Sequence, residues 1–197
     1  MQKINGLVLF DFDGTLTKKD SFILFIIYSA GWIKTILTGI VYLPVILSYL
    51  AGFSTGEYLK KKLLSWFFKG KSKEELFRLG EQFIDYLFQN NYFNVPIISK
   101  LENYLKAGDK VVVVSASPDI WVLPFCNKFF INCICTELLF INDHFTGNFK
   151  TKNCNNDEKK NRVLDKYNLN EFSFIACYGN SKNDGPLMSV ASEKYFV

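Results

Sequence analysis

Residues 6–17 read Gly-Leu-Val-Leu-Phe-Asp-Phe-Asp-Gly-Thr-Leu-Thr, and this stretch decides the fold. Four apolar residues after Gly6 run without a polar break into Asp11, the pattern of a strand buried on both faces. Asp13-Gly14-Thr15 is then a turn signal. Asp11 and Asp13 lie two positions apart, so their carboxylates share one side of an extended chain and Phe12 takes the other. Two such carboxylates repel unless a cation or a proton lies between them. Mg²⁺ suits them, because it prefers hard oxygen ligands and phosphate-bearing substrates. One carboxylate could then attack phosphorus while the other moves a proton. From Asp-x-Asp alone, a pair of turn-capping aspartates is the competing reading.

Outward from this strand, residues 21–56 are almost wholly apolar, with Lys34 as the single charge and Gly31, Gly39, Pro44 and Gly52 as punctuation. They predict two or three helices. Amphipathic helices follow over 58–68 and 73–90, with Lys60, Lys61, Lys62, Lys69, Lys71 and Lys73 near their junction. A second pattern then begins. A helix over 97–107 ends at Gly108, and a buried strand over 110–114 ends at Ser115. Ser117-Pro118 predicts a helix start, serine as N-cap and proline at the first helical position. Further strands are expected at 132–136, in a hairpin of 138–141 with 145–149, at 174–178 and at 194–197, with helices over 157–167 and 184–191. Alternating strands and helices imply an α/β fold with a mostly parallel, doubly wound sheet. The strandless stretch interrupts that alternation, so residues 1–20 and 94–197 are expected to form the core and residues 21–93 a helical cap inserted after the first strand.

Composition narrows the class. Apolar residues are 49% of the 197-residue chain and charged residues 21%, which excludes a disordered chain. A net charge of +4 without a basic, aromatic-interleaved stripe gives no reason to expect nucleic acid. Cys126, Cys133, Cys135, Cys154 and Cys177 form no Cys-x-x-Cys pair, and no signal peptide is evident, so they read as reduced thiols of a cytoplasmic protein. The single histidine, His144, sits in an Asn-Asp-His turn, which makes zinc and Ser-His or Cys-His catalysis improbable.

Three apolar strands end in polar groups: Asp11 and Asp13, then Ser115, then Gly179-Asn180. Ligands of an open parallel sheet sit outside the carboxyl ends of its strands, so these groups can converge on one crevice. Asp11-Phe12-Asp13-Gly14-Thr15-Leu16-Thr17 resembles the first motif of the haloacid dehalogenase superfamily, and the apolar strand ending at Ser115 its second. Cys154 to Lys159, as Cys-x-x-x-Glu-Lys, resembles the third, and Gly179-Asn180-Ser181-Lys182-Asn183-Asp184 the fourth. The order and the place of the insertion match along the whole chain. The resemblance is to the phosphoserine-phosphatase-like branch. Val-Ser-Ala-Ser-Pro at 114–118 and Tyr-Gly-Asn-Ser at 178–181 look most like the phosphatidylglycerophosphatase C group within it.

That resemblance implies a phosphatase with Mg²⁺ as cofactor. Asp11 would be the nucleophile and a metal ligand, and Asp13 the general acid/base with its backbone carbonyl on the metal. Ser115 and Lys159 would bind the phosphoryl oxygens, with Lys160 as a competitor for the lysine role, and Asn183 matches a phosphate-contacting position. Asn180 and Asp184 would complete the metal site. Asn180 stands where the superfamily usually has aspartate, so the site carries one negative charge fewer and weaker metal affinity is expected. Asp20 matches an acidic residue that phosphoserine phosphatases place near the substrate's amino group.

No charge falls between Lys34 and Glu57, a run long enough to span a bilayer as one helix. The run is expected to pack as helices forming the cap's apolar face. Peripheral contact with the inner face of the membrane, or binding of lipid tails, is the other reading, supported by the lysines beyond it. A lipid or other apolar phosphate is therefore the favoured partner and a phosphoserine-type small molecule the alternative. A non-catalytic, membrane-associated binding protein that keeps the fold is the alternative of another class.

Overall fold

The computed structural model describes residues 5–197, so the part of the expected core at residues 1–4 lies outside the described residues. Strands β1 (Leu7–Phe10), β2 (Lys110–Pro118), β3 (Asn132–Thr136), β6 (Ile175–Gly179) and β7 (Glu193–Phe196) form one parallel sheet in the order β3-β2-β1-β6-β7. β1 is central, pairing Phe10 with Val113 on one side and with Tyr178 on the other. Leu7, Leu9, Val112 and Val114 face Val163 and Leu187, while Val8, Phe10, Val111 and Val113 face a second cluster containing Leu101 and Phe125. Both faces are covered, which is why β1 and β2 read as continuous apolar runs. The expected α/β class, a doubly wound parallel sheet flanked by helices, is what the chain adopts.

The antiparallel part is a separate hairpin, β4 (Leu138–Ile141) and β5 (His144–Phe149). Its two turn residues, Asn142 and Asp143, both have positive φ (49° and 62°), as the tight primed hairpin turns require. His144 opens β5, with Nδ1 2.7 Å from the Asn142 carbonyl.

Five helices lie between β1 and β2 before the α6 helix (Val95–Lys106): α1 (Ser21–Ala30), α2 (Trp32–Val41), α3 (Leu43–Leu50), α4 (Gly56–Phe68) and α5 (Lys73–Gln89). Their starts follow from local chemistry. Asp20, Thr55 and Ser72 cap α1, α4 and α5 by accepting from the amides of Phe22, Tyr58 and Glu75. Gly31 and Gly52, both with φ of +79°, turn the chain after α1 and after α3. α1 buries Phe22, Phe25 and Ile26, with Phe25 stacked on Trp121 of α7 (Asp119–Phe129). α5 crosses α7 at Gly80, where a Cβ would lie 1.6 Å from the Ile120 carbonyl oxygen. The β4–β5 hairpin fastens to the same layer, since Gly70 donates to the Phe145 carbonyl and Phe145 donates to that of Lys71, both at 2.9 Å. Helices and sheet therefore share one hydrophobic cluster.

Several expectations need correction. β2 runs on to Pro118, with an irregular register after Ser115, and α7 begins only at Asp119. Ser117 is thus no N-cap; its hydroxyl is engaged elsewhere. The helix expected over 184–191 is the short α9 (Gly185–Met188), preceded by a 3₁₀ turn at Lys182–Asp184. The helices expected to form the cap's apolar face bury little of it: α2 buries only Thr38 and α3 no residue, and Tyr42 between them packs on Trp66 of α4. The chain bends by 114° between α1 and α2.

Candidate active site

The end of β1 sets the site. Asp11 donates its amide to the Tyr178 carbonyl at 2.9 Å, which ties it to β6. The chain then makes an irregular turn over Phe12–Leu16, closed by the Thr17 amide on the Phe12 carbonyl at 2.9 Å. Gly14 has φ of +77°, and a Cβ there would lie 1.9 Å from Asn180 Nδ2. Only glycine satisfies both demands. The Asn180 side chain thereby lies over the turn that carries Asp13.

α8 (Asp157–Lys166) delivers Lys159 from its first turn. Lys159 Nζ donates to Asp11 Oδ1 at 2.5 Å and to Asp184 Oδ1 at 2.6 Å. The other oxygen of Asp184 accepts from the amides of Asn180 (3.2 Å) and Ser181 (3.0 Å) and from the Ser181 hydroxyl (2.9 Å). Asp11 Oδ2 accepts from Thr15 Oγ1 at 3.3 Å. Lys159, Asp11 and Asp184 are all buried.

Asp13 is held separately. The Ser21 amide donates to its Oδ1 at 2.7 Å and the Ser117 hydroxyl to its Oδ2 at 2.5 Å. Trp121 Nε1 donates to Ser21 Oγ at 2.9 Å, and Ser21 Oγ lies 3.3 Å from Ser117 Oγ. α1, β2 and α7 therefore all meet at Asp13. The motif reading missed Ser117 and Ser21, and only the Ser-x-Ser at the end of β2 hinted at the first.

Burial pushes the Asp11 carboxyl up, and although Lys159 opposes it, Asp184 and Asp13 add to the rise, which reaches about 6. For Lys159, burial works against the charge, but the Asp11 and Asp184 carboxylates outweigh it and raise the ammonium above its usual range. For Asp184, burial is likewise outweighed, by the charge and hydrogen bond of Lys159 and then by Ser181, and the carboxyl is held down.

These groups line a cleft of about 460 Å³. Asp20, Asn183, Lys18, Lys19 and Lys60 lie around it, as does Tyr49 from α3. Asp20's carboxyl is pushed up by partial burial and by Asp13, with Lys60 opposing. Ser115 is placed differently: its buried hydroxyl accepts from the Ser117 amide at 3.0 Å, and Ala116 lines the cleft beside it. Lys160 is not among the lining residues, whereas Lys159 is. A larger cavity of about 640 Å³ runs along β3 and is lined by Asp119 and Glu137 but by none of Asp11, Asp13 and Asp184. The smaller cleft is the one that gathers Asp11, Asp13 and Asp184 with Lys159.

Among the described residues, no three His, Cys, Asp or Glu side chains form a ready cation cage. The strand-end donors nonetheless fit Mg²⁺ by type. Asp11 and Asp184 offer carboxylates, Asn180 an amide oxygen and Asp13 a backbone carbonyl, all hard oxygen. The Asp11 and Asp184 carboxylates share the one Lys159 ammonium with Asp13 close to Asp11, so a divalent cation would balance the inner site.

Residues 8–189 match the model of the haloacid dehalogenase-like hydrolase family. Protein CicA of Caulobacter vibrioides is 29% identical over 192 residues, 95% of this chain and 84% of the relative. A protein of unknown function from Bordetella pertussis Tohama I shares the fold, with a TM-score of 0.83 at 22% identity over 96% of this chain and 88% of its own. A substrate-bound phosphoserine phosphatase shares it at a TM-score of 0.62 and 17% identity, over 98% of this chain and 86% of that one. With a family match that runs from β1 to the end of α9, the chain belongs to the haloacid dehalogenase-like hydrolases.

Proposed function

We propose that this chain is a Mg²⁺-dependent phosphomonoester hydrolase that works through an aspartyl-phosphate on Asp11, with the helices of residues 21–93 as its cap. The observation that carries this is the Lys159 ammonium held between the Asp11 and Asp184 carboxylates at the ends of β1 and β6. Bound Mg²⁺, held by Asp11, Asp184, Asn180 and the Asp13 carbonyl, would supply positive charge to the phosphoryl oxygens.

Asp11 attacks phosphorus with one carboxylate oxygen, and the bond to the leaving alkoxide breaks. Asp13, aimed by Ser117 and the Ser21 amide, gives that alkoxide its proton. Water then attacks the phosphoryl group on Asp11, Asp13 takes a proton from it, and phosphate leaves with Asp11 restored. Lys159 and Asn183 neutralise and orient the phosphoryl oxygens. Ser115, in this reading, positions the end of β2 through the Ser117 amide and offers its hydroxyl to the phosphoryl group when the cleft fills.

The substrate is a lipid phosphate or another phosphomonoester with an apolar body, met at the inner face of a membrane. Tyr49 brings the apolar helix α3 into the cleft wall, and Arg78 lies away from it beside Lys34 and Lys71. A phosphoserine-type substrate is the second reading, favoured by Asp20 in the cleft and by the likeness in fold to phosphoserine phosphatase. The test is Mg²⁺-dependent phosphate release from phosphatidylglycerophosphate and from phosphoserine side by side, with Asp11→Asn as blank. Release from the lipid alone supports the first reading and release from phosphoserine alone the second. No release from these or from a panel of other phosphomonoesters supports a non-catalytic binding protein.

A further inference from the structure

We infer that α2 and α3 form a wedge that docks into a single leaflet of an anionic bilayer and sets the mouth of the Asp11 cleft at the headgroup layer. The link to the cleft rests on the phosphatase reading, whereas the docking itself does not.

The surface is unusual for a water-facing one. Trp32, Ile36, Ile40, Leu47, Leu50 and Phe53 are all more than half exposed, with Phe53 at 88%. They are contributed by two consecutive helices and the turn after them, with Lys34 as the only charge in the stretch. A contiguous apolar surface of this kind marks a docking site rather than a solvated face. It is anchored to the rest of the helical layer by Tyr42, whose ring meets Trp66 of α4 edge to face at 5.7 Å.

Length decides between spanning and wedging. α2 has ten residues and α3 eight. At 1.5 Å per residue they reach roughly 15 and 12 Å, about half of a 30 Å hydrocarbon core. No single helix among the described residues is long and apolar enough to cross a membrane. The break at Tyr42, with Pro44 just inside α3, divides the apolar run into two short helices. What read in sequence as a length sufficient to span is thus two short helices, each of a length that suits a bilayer interface.

Charge identifies the occupant. From Lys18 to Lys62 the chain carries six lysines against two acids, Asp20 and Glu57, and among the described residues only Lys61 of the six is ion-paired, to Glu57. Lys18, Lys19 and Lys60 lie on the cleft itself. An anionic headgroup layer complements this set, while a second copy docked on the same face would set lysines against lysines. Tyr49 joins the two functions. Its ring packs over Gly56, 3.5 Å from where a Cβ would stand, and both residues line the cleft with Lys60. The α3–α4 corner is therefore wedge on one side and cleft wall on the other, so a phosphate at headgroup level enters beside Lys60.

The test is flotation of the full chain with vesicles of phosphatidylcholine alone and of phosphatidylcholine with phosphatidylglycerol. The wild type and Asp11→Asn are expected to float with the anionic vesicles and to do so less at high salt. Ile36→Glu and Leu47→Glu, both at exposed positions that the fold does not need, are expected to lower binding by about tenfold or more each. Both should leave turnover of a water-soluble chromogenic phosphate unchanged. Absence of flotation by the wild type, or undiminished flotation by the double variant, would overturn the inference. So would a lipid-free dimer that these substitutions dissolve, which would make a second copy the occupant. Flotation with no turnover of any phosphate would sink the phosphatase reading and leave the docking intact.

Discussion

Lys159 and Asp11 stand 148 positions apart, yet Nζ of one lies 2.5 Å from Oδ1 of the other, with both side chains sealed from solvent. Lys159 holds Asp184 in the same grip, at 2.6 Å. Removing it leaves two buried carboxylates without their counter-charge. Lys159→Ala is expected to abolish turnover and to cost about 3–5 kcal/mol of stability. Lys159→Arg should not rescue activity, because a planar fork cannot replace a point charge between two oxygens. Steady-state kinetics and thermal melts of both variants check this.

Ser117 is expected to matter more to catalysis than its place after a strand implies. Its hydroxyl is the 2.5 Å partner of Asp13, and Ser117→Ala leaves that carboxylate held by the Ser21 amide alone. Turnover should fall by about 10²-fold, the order expected when a general acid/base is misplaced. KM should change little, since Ser117 is buried behind Asp13. A large rise in KM with kcat unchanged would instead make Ser117 a substrate contact.

Asn180→Asp restores a carboxylate beside Asp11 and Asp184. The Mg²⁺ concentration for half-maximal activity should drop by about tenfold, since one more hard anionic ligand favours a divalent ion. Titrating activity against Mg²⁺ for both forms reads this directly. An unchanged midpoint would remove Asn180 from the metal site.

Asp119 gives a prediction about stability. Burial pushes its carboxyl up to about 7, although the Leu138 amide donates to it. A folded-state value above the unfolded one means that the group stabilises the fold fully below its unfolded value near 3.8, and that this contribution is lost as pH rises through about 7. Asp119→Asn is expected to match the wild type near pH 4 and to exceed it by on the order of 2 kcal/mol above pH 7, after allowing for partial exposure. Denaturant melts across that range test it.

Gly80→Ala would place a methyl 1.6 Å from the Ile120 carbonyl oxygen, which is backbone and cannot swing aside. The α5–α7 crossing must open, at a cost of about 3 kcal/mol or more. A melting temperature unchanged by this substitution would mean that the two helices pack less closely than described.

Much of this was legible in the sequence, for physical reasons. A strand buried on both faces has no polar interruption, so 7–10 and 110–114 announced the centre of the sheet, and the first polar residue after each marked the ligand end. The Cys-x-x-x-Glu-Lys string selected Lys159 over Lys160, and the side chain that lies between Asp11 and Asp184 is Lys159. Other features were not legible. Ser117 took its role from an irregularity in β2, which local capping chemistry cannot anticipate. Tyr49 and Lys60 reach the cleft only because of how α3 and α4 pack. The apolar run of α2 and α3 was ambiguous in principle. A helix buried in protein and one left exposed can have the same composition, so the exposure of α2 and α3 could not be read from it.

The central claim is that Asp11 carries the phosphoryl group, and rapid acid quench of the Mg²⁺-loaded enzyme during turnover, followed by peptide mass spectrometry, tests it most directly. The account predicts one added phosphoryl group on the peptide containing Asp11, absent from Asp11→Asn, which should also release no phosphate. Turnover that persists in Asp11→Asn, or a phosphoryl group on any other residue, would contradict it.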